Sequence, residues 1–263
     1  MKAPFNPRPY IIMSGINAVL LIITAVAGLF VVGTYDGFVA PLHLAESQGQ
    51  DATTLFVGLP LLTVALLWTR RGAVQGPILW AGAMGYFLYI YVIYAYGGVY
   101  NWLFFAYVAV CGLSLFALIG ILLGIDVEQV ADAVAATMPI RWIAGFFAGT
   151  ALLLTLMWGG LALAAMAAGE TADANVIIVT DLIAVIPAFA LTAVWLWQGR
   201  AWGYVLSGVL FVQAVTLGMS IVAGQLVALI KGVEPAWGLA GFFLAFTVLG
   251  LGLAILYFRN LRA

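Results

Sequence analysis

Apolar residues fill this chain in long blocks, and short polar or turn-forming stretches separate them. About 20 apolar residues in a row suffice for a helix to cross a bilayer. The blocks predict eight such spans. The first covers Tyr10–Gly33, after an extended basic lead, Met1–Pro9, with three prolines. A polar stretch with Asp36, His43 and Glu46 follows, and the second span ends near Trp68. Thr69–Gln75 is a basic turn. The third span opens at Pro77, where a missing N–H costs nothing in a first helical turn, and runs to Gly97. The fourth covers Trp102–Ile125. Ile140–Ala167, Asn175–Trp197, Trp202–Ile230 and Pro235–Phe258 complete the set.

The Asp126–Pro139 segment breaks the pattern. Val127, Val130, Val134 and Met138 recur at helical spacing, opposite Asp126, Glu128 and Asp132. That predicts a short amphipathic helix on the membrane surface. It divides the chain into a first half (1–125), a linker (126–139) and a second half (140–263). The expected fold is all-α, an integral membrane bundle of two four-helix halves.

Composition supports the same class. The chain has 263 residues, of which 66% are hydrophobic and 7% charged. A soluble domain carries about 25% charged residues. A net charge of −1 gives no reason to expect nucleic acid as a partner. Cys111 is the only cysteine and His43 the only histidine. That excludes an internal disulfide, a cysteine-based metal cluster and a bis-His haem within one chain. No cofactor is implied. The first apolar block is longer than a signal-peptide core and is expected to be retained.

Lys and Arg are distributed unevenly. With the N-terminus in the cytoplasm, Lys2, Arg8, Arg70, Arg71, Arg141, Arg200, Arg259 and Arg262 fall inside and only Lys231 outside. This bias predicts cytoplasmic N- and C-termini in a multi-pass cell-membrane protein. Trp102, Trp142, Trp197, Trp202 and Trp237 near span ends fit an interfacial belt.

A phrase recurs in the two halves. Asp51, an apolar run, Pro60, Trp68 and Arg70 parallel Asp181, an apolar run, Pro187, Trp197 and Arg200. This suggests a parallel 4+4 duplication, with Asp51 and Asp181 on equivalent helices. It also places Asp51 inside a helix beginning near Glu46, although alone it reads as an N-cap before Ala52.

A carboxylate in a span costs about 2.5–3.5 kcal/mol on insertion scales, so it points to function by default. Asp181 and Asp51 are the leading candidates, for a cation, proton or amine site between the halves in the outer leaflet. Packing is the competing role. Tyr86 and Tyr89 lie too deep for an interfacial belt and are candidate pocket walls, with Gln213 from the seventh span and Asn101 beside Tyr100. Gln213, Thr216 and Ser220 share a helix face, as do Ser14, Asn17 and Thr24; such residues commonly join helices. Gly120 with Gly124, and Gly145 with Gly149, allow close helix approach. His43, Asp36 and Glu46 form a weak metal-site pattern, for which a solvated loop is the default.

The phrases Asp181–Leu182, Pro187, Trp202–Gly203–Tyr204–Val205–Leu206 and Tyr100–Asn101–Trp102–Leu103–Phe104 resemble those of uncharacterised bacterial polytopic membrane proteins. The resemblance covers spans two to four and six to seven. It implies a bacterial inner-membrane protein and carries no activity. The expected function is a small-solute or ion transporter, or a transporter-like binding protein. The alternatives are a membrane enzyme or binding protein for a lipid or quinone, which the lone His and Cys disfavour, and a non-catalytic accessory subunit. Membrane lipids, a small-molecule or ion ligand and an oligomeric or subunit partner are the expected associations.

Overall fold

The computed structural model describes residues 6–35, 41–170 and 174–261. Within them the chain is an all-α membrane bundle: α1 (Arg8–Phe30), α2 (Pro41–Thr53), α3 (Leu59–Arg70), α4 (Gln75–Tyr96), α5 (Phe104–Gly124), α6 (Val127–Asp132), α7 (Ile140–Ala168), α8 (Asn175–Thr180), α9 (Ile186–Trp197), α10 (Ala201–Ile230) and α11 (Trp237–Arg259). A π-helical turn, Thr54–Gly58, joins α2 to α3, and a second, Asp181–Val185, joins α8 to α9. Each joined pair makes one continuous crossing. Eight helices are then long and apolar enough to span a membrane. The protein is a multi-pass membrane protein.

Eight crossings put α1's start and α11's end at one end of the bundle, here the terminal end. The opposite, distal end carries the α1–α2, α4–α5, α7–α8 and α10–α11 connections. Contacts at the terminal end agree with this. Val134 bridges Leu261, Gln75 Nε2 donates to the Leu261 carbonyl at 2.9 Å, and Thr137 Oγ1 donates to Asn260 Oδ1. The linker helix α6 is shorter than its periodicity predicts. Asp126 caps it by accepting from the Gln129 N–H, and the chain then turns to pair with the tail. Val130 and Met138 are buried under the bundle.

α4 and α10 form the centre, and both carry the small and polar residues that join helices within a membrane. Their most apolar stretches are 78% and 67% buried, against 11% for α7 and 17% for α11. Glycines let the two central helices approach. Gly82 faces Val212, Gly85 faces Gln213, and Gly208 faces Ile78 and Tyr257. The tightest crossing is elsewhere, between α2 and α10. There Gly49 lies directly on the Gly224 backbone, and Gly224 lies on Glu46. A Cβ at Gly49 would collide with main chain. Among the predicted close-approach glycines, Gly120 receives the Tyr10 ring of α1. Gly145 and Gly149 meet nothing within 4 Å, so that pair is no helix seam.

Both π turns have a local cause. Pro60 and Pro187 each stand at the second position of the following helix. A proline inside a span clashes with the carbonyl four residues back and offers it no N–H. Widening the preceding turn relieves the clash: Leu59 N–H reaches back five residues to Thr54, and Ile186 N–H to Asp181. The pattern extends further. Thr54 and Asp181, Pro60 and Pro187, Gly72 and Gly199, and Gly76 and Gly203 are all separated by the same 127 positions. Gly72 and Gly199 have positive φ (75° and 67°), and Gly76 and Gly203 press on the backbone of the preceding helix. In this phase Thr54, not Asp51, is the residue 127 positions before Asp181.

Candidate ligand-binding cavity

The bundle encloses a cavity of about 310 Å³. It lies between α7, α8 with its π turn, α10 and α11, and residues of α2 and α4 complete its wall. Its position follows from unequal packing. On one flank of the central pair, α2 closes tightly on α10. On the other, α8 scarcely touches α4, and the space stays open.

Asp181 opens the second π turn, is 5% exposed and faces this space. Two donors from different helices hold its carboxylate. Tyr89 of α4 donates its hydroxyl to Oδ1 at 2.9 Å, and Trp158 of α7 donates its indole N–H to Oδ2 at 2.6 Å. Such charge-assisted bonds are about twice as strong as neutral ones. They fix the side chain while leaving further acceptor sites on both oxygens. Glu46 of α2 also lines the cavity. Gln225 holds it, donating Nε2 to Oε1 at 3.1 Å and accepting the Ala236 N–H on its own oxygen at 2.8 Å. The remaining polar wall includes Gln50 and Gln213. Both amides lack hydrogen-bond partners among the described residues. Phe189, Phe242, Phe243 and Phe246 supply much of the apolar wall. Among the described residues no Lys, Arg or His lines it.

Of the residues singled out from sequence, Asp181, Tyr89 and Gln213 meet here. Asp51, Tyr86 and Asn101 do not. Asp51 is 3% exposed and turns into the first four spans, where it accepts a hydrogen bond from the Tyr35 hydroxyl. Burial, with the neighbouring Tyr94 and Asp51, raises the Tyr35 phenol well above its ordinary value, so it remains a donor. Tyr94 stacks between Tyr35 and Tyr107, with centroids 6.1 and 5.0 Å away. Asp51 does not line the cavity that holds Asp181, and among the described residues the two carboxylates share no hydrogen-bond partner. Tyr86 is fully buried and bonds Thr54 Oγ1 at 3.3 Å.

Asn101 pins the α4–α5 connection. Its Nδ2 donates to the Thr34 carbonyl at 2.6 Å and to the Tyr107 hydroxyl at 3.1 Å, and its Oδ1 accepts from Leu103 N–H. The polar face of α1 also joins helices. Ser14 accepts from Trp80 Nε1 at 2.8 Å, and Asn17 donates to Ser114 at 2.7 Å.

Of the weak metal pattern, Asp36 lies outside the described residues. His43 is exposed on α2. Among the described residues no three His, Cys, Asp or Glu side chains gather as a metal site. Sequence reasoning missed Trp158 and the α11 phenylalanines. Trp158 did carry a signal, because it lies well inside its span, where interfacial anchoring places no tryptophan. Comparison with protein-family models, with curated proteins and with solved protein structures finds no match.

Proposed function

We propose that this protein is a transporter, or a transporter-like binding protein, for a small solute with an apolar body. Its site is the cavity at Asp181. The supporting observation is that a buried carboxylate, clamped by Tyr89 and Trp158, faces a mostly apolar space of about 310 Å³. A carboxylate needed only for packing is normally consumed by its neighbours; this one faces a void. Drug-sized sites have this character: concave, mostly apolar, with few placed polar groups. The reading includes a parallel duplication, supported by the constant 127-residue offset of turns, prolines and glycines. It also includes cytoplasmic termini, supported by the Lys and Arg bias.

The test uses protein in lipid nanodiscs and three eight-carbon probes: octylamine, octanol and octanoate. At least one should raise Tm by several degrees in wild type. Ala214→Leu, which fills the cavity wall, should remove that response. If no probe shifts Tm, or the filled variant responds equally, the cavity is not the site. Uptake of the active probe into proteoliposomes separates a carrier from a binding protein.

A further inference from the structure

Resting on that reading, we infer that the ligand is an amphiphilic amine. Its ammonium head docks on Asp181, and its hydrocarbon tail leaves the bundle between α7 and α11 into lipid.

The head group follows from charge. Among the described residues the wall offers two carboxylates, Asp181 and Glu46, and no basic side chain. An anion entering there meets like charge in a low-dielectric space. A neutral alcohol satisfies a hydrogen bond but leaves the charge uncompensated. An ammonium donates to the acceptor sites that Tyr89 and Trp158 leave on the carboxylate and supplies the missing counter-charge. The unpaired Gln213 amide oxygen is a further acceptor. Phenylalanine rings around the cavity favour a cation near their faces.

The tail route follows from helix packing. α7 packs on α9, and α11 packs on α10, while α7 and α11 barely touch. Near mid-span Phe146 of α7 and Phe246 of α11 stack with centroids 5.2 Å apart. Toward the distal end the cavity lies between them. Its rim residues Leu161 and Leu239 are 48% and 37% exposed, and Phe242 is 36% exposed. In a bilayer these side chains border hydrocarbon. A ligand already dissolved in the membrane reaches the carboxylate sideways, without crossing an aqueous mouth.

The experiment is competition against tritiated octylamine on nanodisc-embedded protein made with zwitterionic lipid. Octylamine should compete at least tenfold better than octanol or octanoate in wild type, a comparison that needs no variant. Asp181→Asn should abolish that preference while keeping any octanol binding, which also reports a folded cavity. Dodecylamine and hexadecylamine should bind at least as well as octylamine, because the tail is not confined. Preference for octanol or octanoate overturns the amine assignment and leaves the cavity reading standing. A sharp loss of binding beyond twelve carbons overturns the lateral route. No saturable binding of any probe defeats the underlying site reading as well.

Discussion

Asp181 and Asp51 have the same chemistry and nearly the same burial, yet their surroundings differ. Asp181 meets an indole and a phenol at the edge of a void. Asp51 is held by Tyr35 beside stacked tyrosines, in a nook that Gly28 of α1 leaves open. The first arrangement presents a charge; the second encloses one. Trp158→Phe removes one donor from Asp181 and should weaken ligand binding several-fold in the competition assay, with a drop in Tm of a few degrees. Tyr35→Phe should instead lower stability by about 1–3 kcal/mol, the usual cost of stranding a buried polar partner. Reversible unfolding in mixed micelles reads that cost, and binding should be unchanged. Sequence alone exposed both carboxylates, because a charge in an apolar run is conspicuous. It could not separate them, because depth along a helix says nothing about which neighbour the side chain meets.

At the scale of elements, the two π turns connect proline chemistry to side-chain direction. Pro187→Ala restores an N–H and removes the clash with the Ile183 carbonyl. The turn can then tighten to α register and rotate Asp181 relative to α9 by about 100°, one residue's worth. Ligand binding should drop at least tenfold. Pro60→Ala makes the same change between α2 and α3; that turn itself carries no cavity residue and Gly49 seats α2 on α10, so binding should fall much less. Unequal responses of the two variants, read in one assay, check the assignment. The prolines were visible in sequence, and so was the similarity of the two phrases that carry them. The π register was not. A shift of three residues separates the pairing expected from sequence, Asp51 with Asp181, from the constant 127-residue offset of turns, which sets Thr54 against Asp181. Among near-uniform apolar residues such a slip leaves no trace, whereas the fixed spacing of turns and positive-φ glycines does.

At the scale of the molecule, the count of eight spans and the shared side of both ends were legible, because length and charge bias are summed over many residues. The uneven packing of the two flanks was not. Gly49 and Gly224 look like any other glycines in a hydrophobic run. In the bundle they form a bare crossing of α2 on α10. Gly49→Leu should destabilise the protein by at least about 1–3 kcal/mol, the usual cost of overpacking, since main chain is what the new side chain meets. The same substitution at Gly145, which faces nothing within 4 Å, should leave the unfolding midpoint nearly unchanged.

That bare crossing also decides which part of the molecule can yield. At Gly49 main chain meets main chain, so little there can rotate aside. On the transporter reading proposed above, the sealed flank is the fixed jaw, and the motion that admits or releases a guest is expected in the later helices, α7, α8–α9 and α11, the moving arm of a one-armed clamp.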